Sequence, residues 1–72
     1  MTGAEFLRRI RKTAKEREVE IRFEARSGKG SHGRLYYGKR FTTLKDRKKE
    51  IGPGLLQKML TNPGLRRDDI EE

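Results

Sequence analysis

Between Ala4 and Arg17, Phe6, Leu7, Ile10 and Ala14 recur at helical spacing, while Arg8, Arg9, Arg11 and Lys12 fall on the other side. That pattern predicts an amphipathic helix with one buried stripe. Thr2 stands three residues ahead of Glu5, the spacing of a capping box, in which hydroxyl and carboxylate each satisfy one free amide of the first turn. The period then shortens to two: Val19, Ile21 and Phe23 alternate with Glu20, Arg22 and Glu24, which predicts a half-buried strand. Ser27, Gly28, Lys29, Gly30 and Ser31 form a turn-rich stretch. A second strand is expected from His32 to about Tyr37 and a third from Arg40 to about Leu44. Gly38-Lys39 between them suits a two-residue type II′ turn, because Gly takes the positive φ needed at the first central position.

A charged connection from Lys45 to Glu50 leads to Ile51, Gly52, Pro53 and Gly54. Pro53 fits the first turn of a helix, where no amide partner is needed. Leu55, Leu56, Met59 and Leu60 then define one apolar helical face. Pro63 would clash with the carbonyl of Met59 if that helix continued, so Asn62-Pro63-Gly64 is expected to end it. Leu65 is expected to fold back on the core. The predicted fold class is α+β, in the order α-β-β-β-α: a three-stranded antiparallel sheet with both helices on one face. Two short helices cannot cover both sides of a sheet, so the other face stays wet. Residues 1–65 form the expected domain, and 66–72 read as a charged mobile tail.

At 72 residues the chain holds one domain at most. Leu, Ile, Val and Phe make up 15 of the 72 residues, just above the roughly 20% below which a charged chain stays disordered. A small core is therefore expected. Lys and Arg number 19 against 11 Asp and Glu, a net charge of +8, which points to a polyanionic partner. With no Cys there is no disulfide framework or thiolate site, and a lone His builds no zinc site without carboxylate help. No metal or other cofactor is expected. The longest run of aliphatic or phenyl side chains is two residues, too short for a membrane span or the apolar part of a signal peptide. The expected compartment is the cytoplasm.

By strand alternation His32 shares a face with Arg34 and Tyr36, while Gly33, Leu35 and Tyr37 point to the core. A two-residue turn sets Tyr36 opposite Phe41 and Arg34 opposite Thr43, whereas a three-residue turn moves Phe41 to the core face. The sequence does not decide between them. A lone His is more often a bystander than a catalyst, but this one stands among Lys29, Arg34, Lys39 and Arg40. Cations around an imidazole disfavour its protonated form and leave it able to accept a proton. That combination suits RNA cleavage by transesterification, in which the ribose 2′-hydroxyl attacks the neighbouring phosphorus. His32 is the candidate base, Arg34 and Lys29 hold the phosphate, and Tyr36 is either the acid or a surface aromatic of no catalytic use. Gly28-Lys29-Gly30-Ser31-His32 lacks the spacing of a nucleotide-binding P-loop. Asp46, Glu50, Asp68 and Asp69 read as solvated charges, and the basic face of the first helix serves solubility or RNA contact.

The element order, Gly30-Ser31-His32 at the entry of the second strand, the hairpin after it and the segment from Glu50 to Leu65 together resemble the HicA family of bacterial toxin-antitoxin mRNA interferases. The resemblance spans nearly all of Phe6 to Leu65. It implies a fold similar to a double-stranded-RNA-binding domain and a metal-independent endoribonuclease whose catalytic residue is His32. The expected RNA-binding residues are then Lys29, Ser31, Arg34, Tyr36, Lys39 and Arg40. It also implies mRNA as substrate and a HicB-type antitoxin that covers the active face, with no direct DNA binding in the antitoxin's absence. Two departures stand out: Gly33 occupies the place where many members carry a second His, and Pro63 replaces a common Leu, which is expected to shorten the last helix. The alternatives are a non-catalytic RNA-binding module on the same fold and a chain that acts chiefly as the tight-binding subunit of a complex.

Overall fold

The computed structural model describes residues 1–25, 33–44 and 48–71. The elements run α1 (Gly3–Glu16), β1 (Ile21–Ala25), β2 (Gly33–Tyr37), β3 (Arg40–Leu44), α2 (Pro53–Thr61) and α3 (Arg67–Ile70). The strands form one antiparallel sheet in the order β1-β2-β3. The expected helix, three strands and helix are all present, with a third helix added.

Thr2 caps α1 as expected, its Oγ1 accepting from the Glu5 amide at 3.2 Å. The Glu5 carboxylate turns along the helix instead of back to the cap, taking Arg9 Nη2 at 2.9 Å and Arg8 Nη2 at 3.2 Å. The two guanidiniums, three and four residues on, lie on the same helical surface and outcompete a neutral amide for the carboxylate. Arg9 first, then Arg8, holds the Glu5 carboxyl below its ordinary pKa.

Both long helices end in the same motif. After α2, Leu65 N donates to Leu60 O and Gly64 N to Thr61 O, with Gly64 at φ +82°. This is a Schellman ending with Gly at the left-handed position. Pro63 is accommodated one residue earlier, and Leu65 is buried as expected. After α1, Val19 N donates to Ala14 O and Glu18 N to Lys15 O. There the left-handed residue is Glu18, at φ +57°.

Phe6, Leu7 and Ile10 of α1, Leu35 and Leu44 of the sheet, and Leu56, Met59 and Leu60 of α2 pack into one buried cluster, so the helices share one sheet face. Ile21 and Phe23 of β1 pack against its margin. Leu55, expected on the apolar face of α2, is 42% exposed. It precedes Leu56 by one residue, so the two point about 100° apart and only one can face a narrow core.

The charged stretch from Arg66 is not a free tail through Ile70. Arg67–Ile70 form a short helix whose Ile70 is 3% exposed within the core cluster. The Thr13 hydroxyl donates to the Asp69 carbonyl at 2.8 Å, and the Asp69 carboxylate meets Arg17 Nη2 at 2.5 Å and accepts from the Arg66 amide at 2.7 Å. One apolar residue and one carboxylate thus anchor a segment that composition marks as solvent-exposed. Among the described residues no helix is long and apolar enough to cross a membrane.

Candidate nucleic-acid interface

Register decides which side chains share the open face. Tyr37 pairs with Arg40 and Tyr36 with Phe41, so only Gly38 and Lys39 form the turn. Gly38 has φ +61°, and Lys39 is not among the positive-φ residues. Positive φ at the first central position alone is the type II′ pattern. Phe41 is therefore on the open face, 46% exposed, and the three-residue alternative is excluded. On β1, Arg22 pairs with Tyr36 and Glu24 with Arg34.

These pairings build a cation-aromatic surface across all three strands. The Arg22 guanidinium lies 4.8 Å from the Tyr36 ring centroid, directly across the ladder. Tyr36 and Phe41 are 5.9 Å apart, centroid to centroid, at 46°. Arg34, diagonal to Phe41, lies 4.9 Å over its ring. Each cation sits within the ~6 Å over which a ring quadrupole attracts it. Arg22 also meets the Glu24 carboxylate at 3.3 Å, both side chains more than half exposed. A pair so wet adds about 0–1 kcal/mol and leaves the guanidinium accessible to other anions.

Two shallow depressions flank the aromatic pair. One, of about 250 Å³, is lined by Glu24, Ala25, Arg34 and Tyr36. The other, of about 400 Å³, lies at the hairpin end and is lined by Lys39, Arg40, Phe41 and Asn62. Arg40 begins β3 on the alternation that faces the helices, and its guanidinium runs along the end of α2, where a Cβ on Gly64 would stand 3.1 Å from Nη1. Lone carbonyls at a helix C-terminus favour a cation there. Asn62 Nδ2 is 3.5 Å from Thr42 Oγ1.

Of the residues expected from sequence, Arg34 and Tyr36 come together on the open face, while Lys39 and Arg40 gather at the hairpin end. Lys29, Ser31 and His32 lie outside the described residues. Phe41 joins the surface as the two-residue turn implies, and Arg22, Glu24 and Asn62 join it without having been expected there. Arg22 and Glu24 were visible as the polar half of an alternating strand, but their partners follow only from the β1-β2 register.

Gly33, where the resembled family often has a second His, has a local cause. A Cβ there would lie 2.5 Å from both Glu24 O and Phe23 Cζ. The Phe23 ring occupies the space over this backbone, so only Gly fits. A scan against protein-family models, a search of curated proteins and a search of solved structures each return no match for the chain.

Proposed function

We propose that the chain is an RNA-binding domain that acts as a metal-independent endoribonuclease of the HicA type. The observation that carries the RNA-binding half is the open sheet face, where Arg22, Tyr36, Phe41 and Arg34 touch in sequence as cation, ring, ring and cation. Guanidiniums neutralise phosphates, and rings and guanidinium planes both stack bases. A chain of net charge +8 draws a polyanion to that face.

The catalytic half rests on sequence. His32 directly precedes β2, whose Arg34 and Tyr36 lie on this face. In the proposed reaction His32 takes the proton of a ribose 2′-hydroxyl as its oxygen attacks the adjacent phosphorus. The bond from phosphorus to the 5′-oxygen breaks, and that oxygen receives a proton from Tyr36 or water. Arg34 offsets the charge growing on the phosphoryl oxygens. The products are a 2′,3′-cyclic phosphate and a 5′-hydroxyl. A HicB-type antitoxin, in this reading, silences the toxin in the cytoplasm by covering the same face with carboxylates.

The test is incubation of the chain and its His32→Ala variant with a long RNA in EDTA, with mapping of the product ends. Cleavage by the parent alone, leaving cyclic-phosphate ends, is expected. Cleavage that vanishes on chelation and returns with Mg²⁺ overturns the mechanism. RNA binding that persists in both proteins with no cleavage in either replaces it with the second reading, a non-catalytic RNA-binding module, which the same cation-aromatic face supports equally.

A further inference from the structure

The depression at the hairpin end has no part in the reaction just described. We propose that it is a second nucleotide subsite, in which Phe41 carries an unpaired base of single-stranded RNA while Lys39 and Arg40 hold the adjoining phosphate. The inference rests on the RNA reading of the open face and extends it along the substrate.

Phe41 is the starting point. Its ring is nearly half exposed on a face the core does not use, and it forms one wall of the depression as well as one step of the cation-aromatic surface. A phenyl ring contributes nothing to holding a phosphate. In duplex RNA the bases stay stacked inside and proteins read phosphates and 2′-hydroxyls. Beyond Arg34 and Tyr36, the only part of an RNA that can stack on this ring is a base that has left its own stack. Tyr36 and Phe41 lie side by side at 5.9 Å and 46°, an arrangement that receives splayed bases and not a continuous stack with a rise of about 3.4 Å.

The remaining walls supply the other contacts. Lys39 and Arg40 bring two positive charges to the rim, and Asn62, beside Thr42, brings an amide that both donates and accepts. The site is therefore a ring for a base, cations for a phosphate and an amide for a base edge.

Placement predicts a length requirement. The depression lies at the Tyr37 end of β2, and His32 precedes the Gly33 end. Five residues of strand separate the two ends, on the order of 16 Å at about 3.3 Å each. Short oligonucleotides cannot reach both ends, and longer ones can.

The test uses the full chain carrying His32→Ala, so that RNA is bound and not cut. Labelled single strands of three and eight nucleotides and an eight-base-pair duplex are titrated by fluorescence anisotropy. The eight-nucleotide strand is expected to bind more tightly than the three. Phe41→Leu, which keeps an apolar side chain and loses the ring, should weaken the eight-nucleotide strand by roughly 5- to 150-fold, the range of one base-aromatic stack. It should leave the duplex unchanged, and Phe41→Trp should retain the tight binding. Lys39→Ala should lower the salt slope for the longer strand by about 0.7, one phosphate's worth for a single strand. If RNA binds and Phe41→Leu holds the eight-nucleotide strand as well as the parent does, the subsite is overturned and the RNA reading stands. If no RNA binds the parent, the RNA reading falls and takes the subsite with it.

Discussion

The two faces of this sheet come from the same strands, residue by residue, and are put to opposite uses. Leu35 is fully buried beneath the helices, and Tyr36, one residue on, lies on the open face under an arginine. On the helix side the polar groups are absorbed: Thr42 is 2% exposed with Asn62 beside its hydroxyl, and among the described residues no buried side-chain polar atom lacks a partner. On the open side the ring of Phe41 stays 46% exposed, with the Arg34 guanidinium over it. The buried apolar side chains are concentrated on one face, and this leaves the other free to carry exposed rings and cations.

Substitution on each of the two faces is the most direct way to break that division. Leu35→Ala should cost about 2–5 kcal/mol, much of what a chain this small has, given typical stabilities of roughly 0.05–0.15 kcal/mol per residue. Phe41→Ala should cost no more than about 1 kcal/mol while weakening RNA binding. Urea unfolding of both variants decides the matter, and comparable losses would mean that the open face is part of what holds the fold together.

A smaller effect is expected at Gly33, which belongs to the helix side yet begins the strand that follows His32. Gly33→Ala drives a methyl group into the Glu24 carbonyl and the Phe23 ring, and overpacking of this kind costs about 1–3 kcal/mol. Phe23→Leu should relieve part of the loss by withdrawing the ring. If Gly33→Ala melts with the parent, the Phe23 ring is not fixed over this backbone.

How much of this division is visible in the sequence depends on the reach of each contact. Apolar spacing marks α1 and α2, and alternation marks β1, because each pattern repeats within its own element, while the Gly38-Lys39 turn marks the hairpin of β2 and β3. The face of Phe41 is not decided by any local pattern, since it turns on a single residue of hairpin length, settled by the Tyr37-Arg40 pairing and the φ of Gly38. Arg22 meets Tyr36 only through the β1-β2 register, which depends on the connection between those strands. α3 is hidden for a different reason. Four residues show no periodicity, and its anchor joins Arg17 to Asp69 across 52 positions.

Acid offers a gentler probe of the helix side alone. The Asp69 carboxyl is held below its ordinary pKa, first by the Arg66 amide and then by Arg17. A group whose folded-state pKa is depressed contributes stability above its unfolded value, about 3.9 for Asp, and loses it as pH falls through the lower folded value. As pH falls below about 5 the docking of α3 should therefore weaken progressively, and Asp69→Asn should flatten that part of the profile. Amide exchange at Ile70 measures it, and equal acid sensitivity in parent and variant would remove Asp69 from the linkage.

The smallest expected effect separates the faces most cleanly, because it touches neither. The Schellman endings of α1 and α2 make the same two backbone hydrogen bonds, yet one puts Gly64 and the other Glu18 at the left-handed residue. Left-handed backbone costs a residue with a Cβ about 1–2 kcal/mol, whereas Gly adopts it freely and loses only some chain entropy on folding. Glu18→Gly should therefore stabilise the chain by roughly 0.5–1 kcal/mol, a rise of a few degrees in Tm for a domain of this size. Its RNA affinity should stay level apart from the small gain of removing one negative charge, and Glu18→Gln supplies that charge control. A Glu18→Gly chain that melts higher but binds RNA more weakly than Glu18→Gln would show that stiffening the end of α1 reaches the open face. The separation between a face that holds the fold and a face that binds would then be wrong.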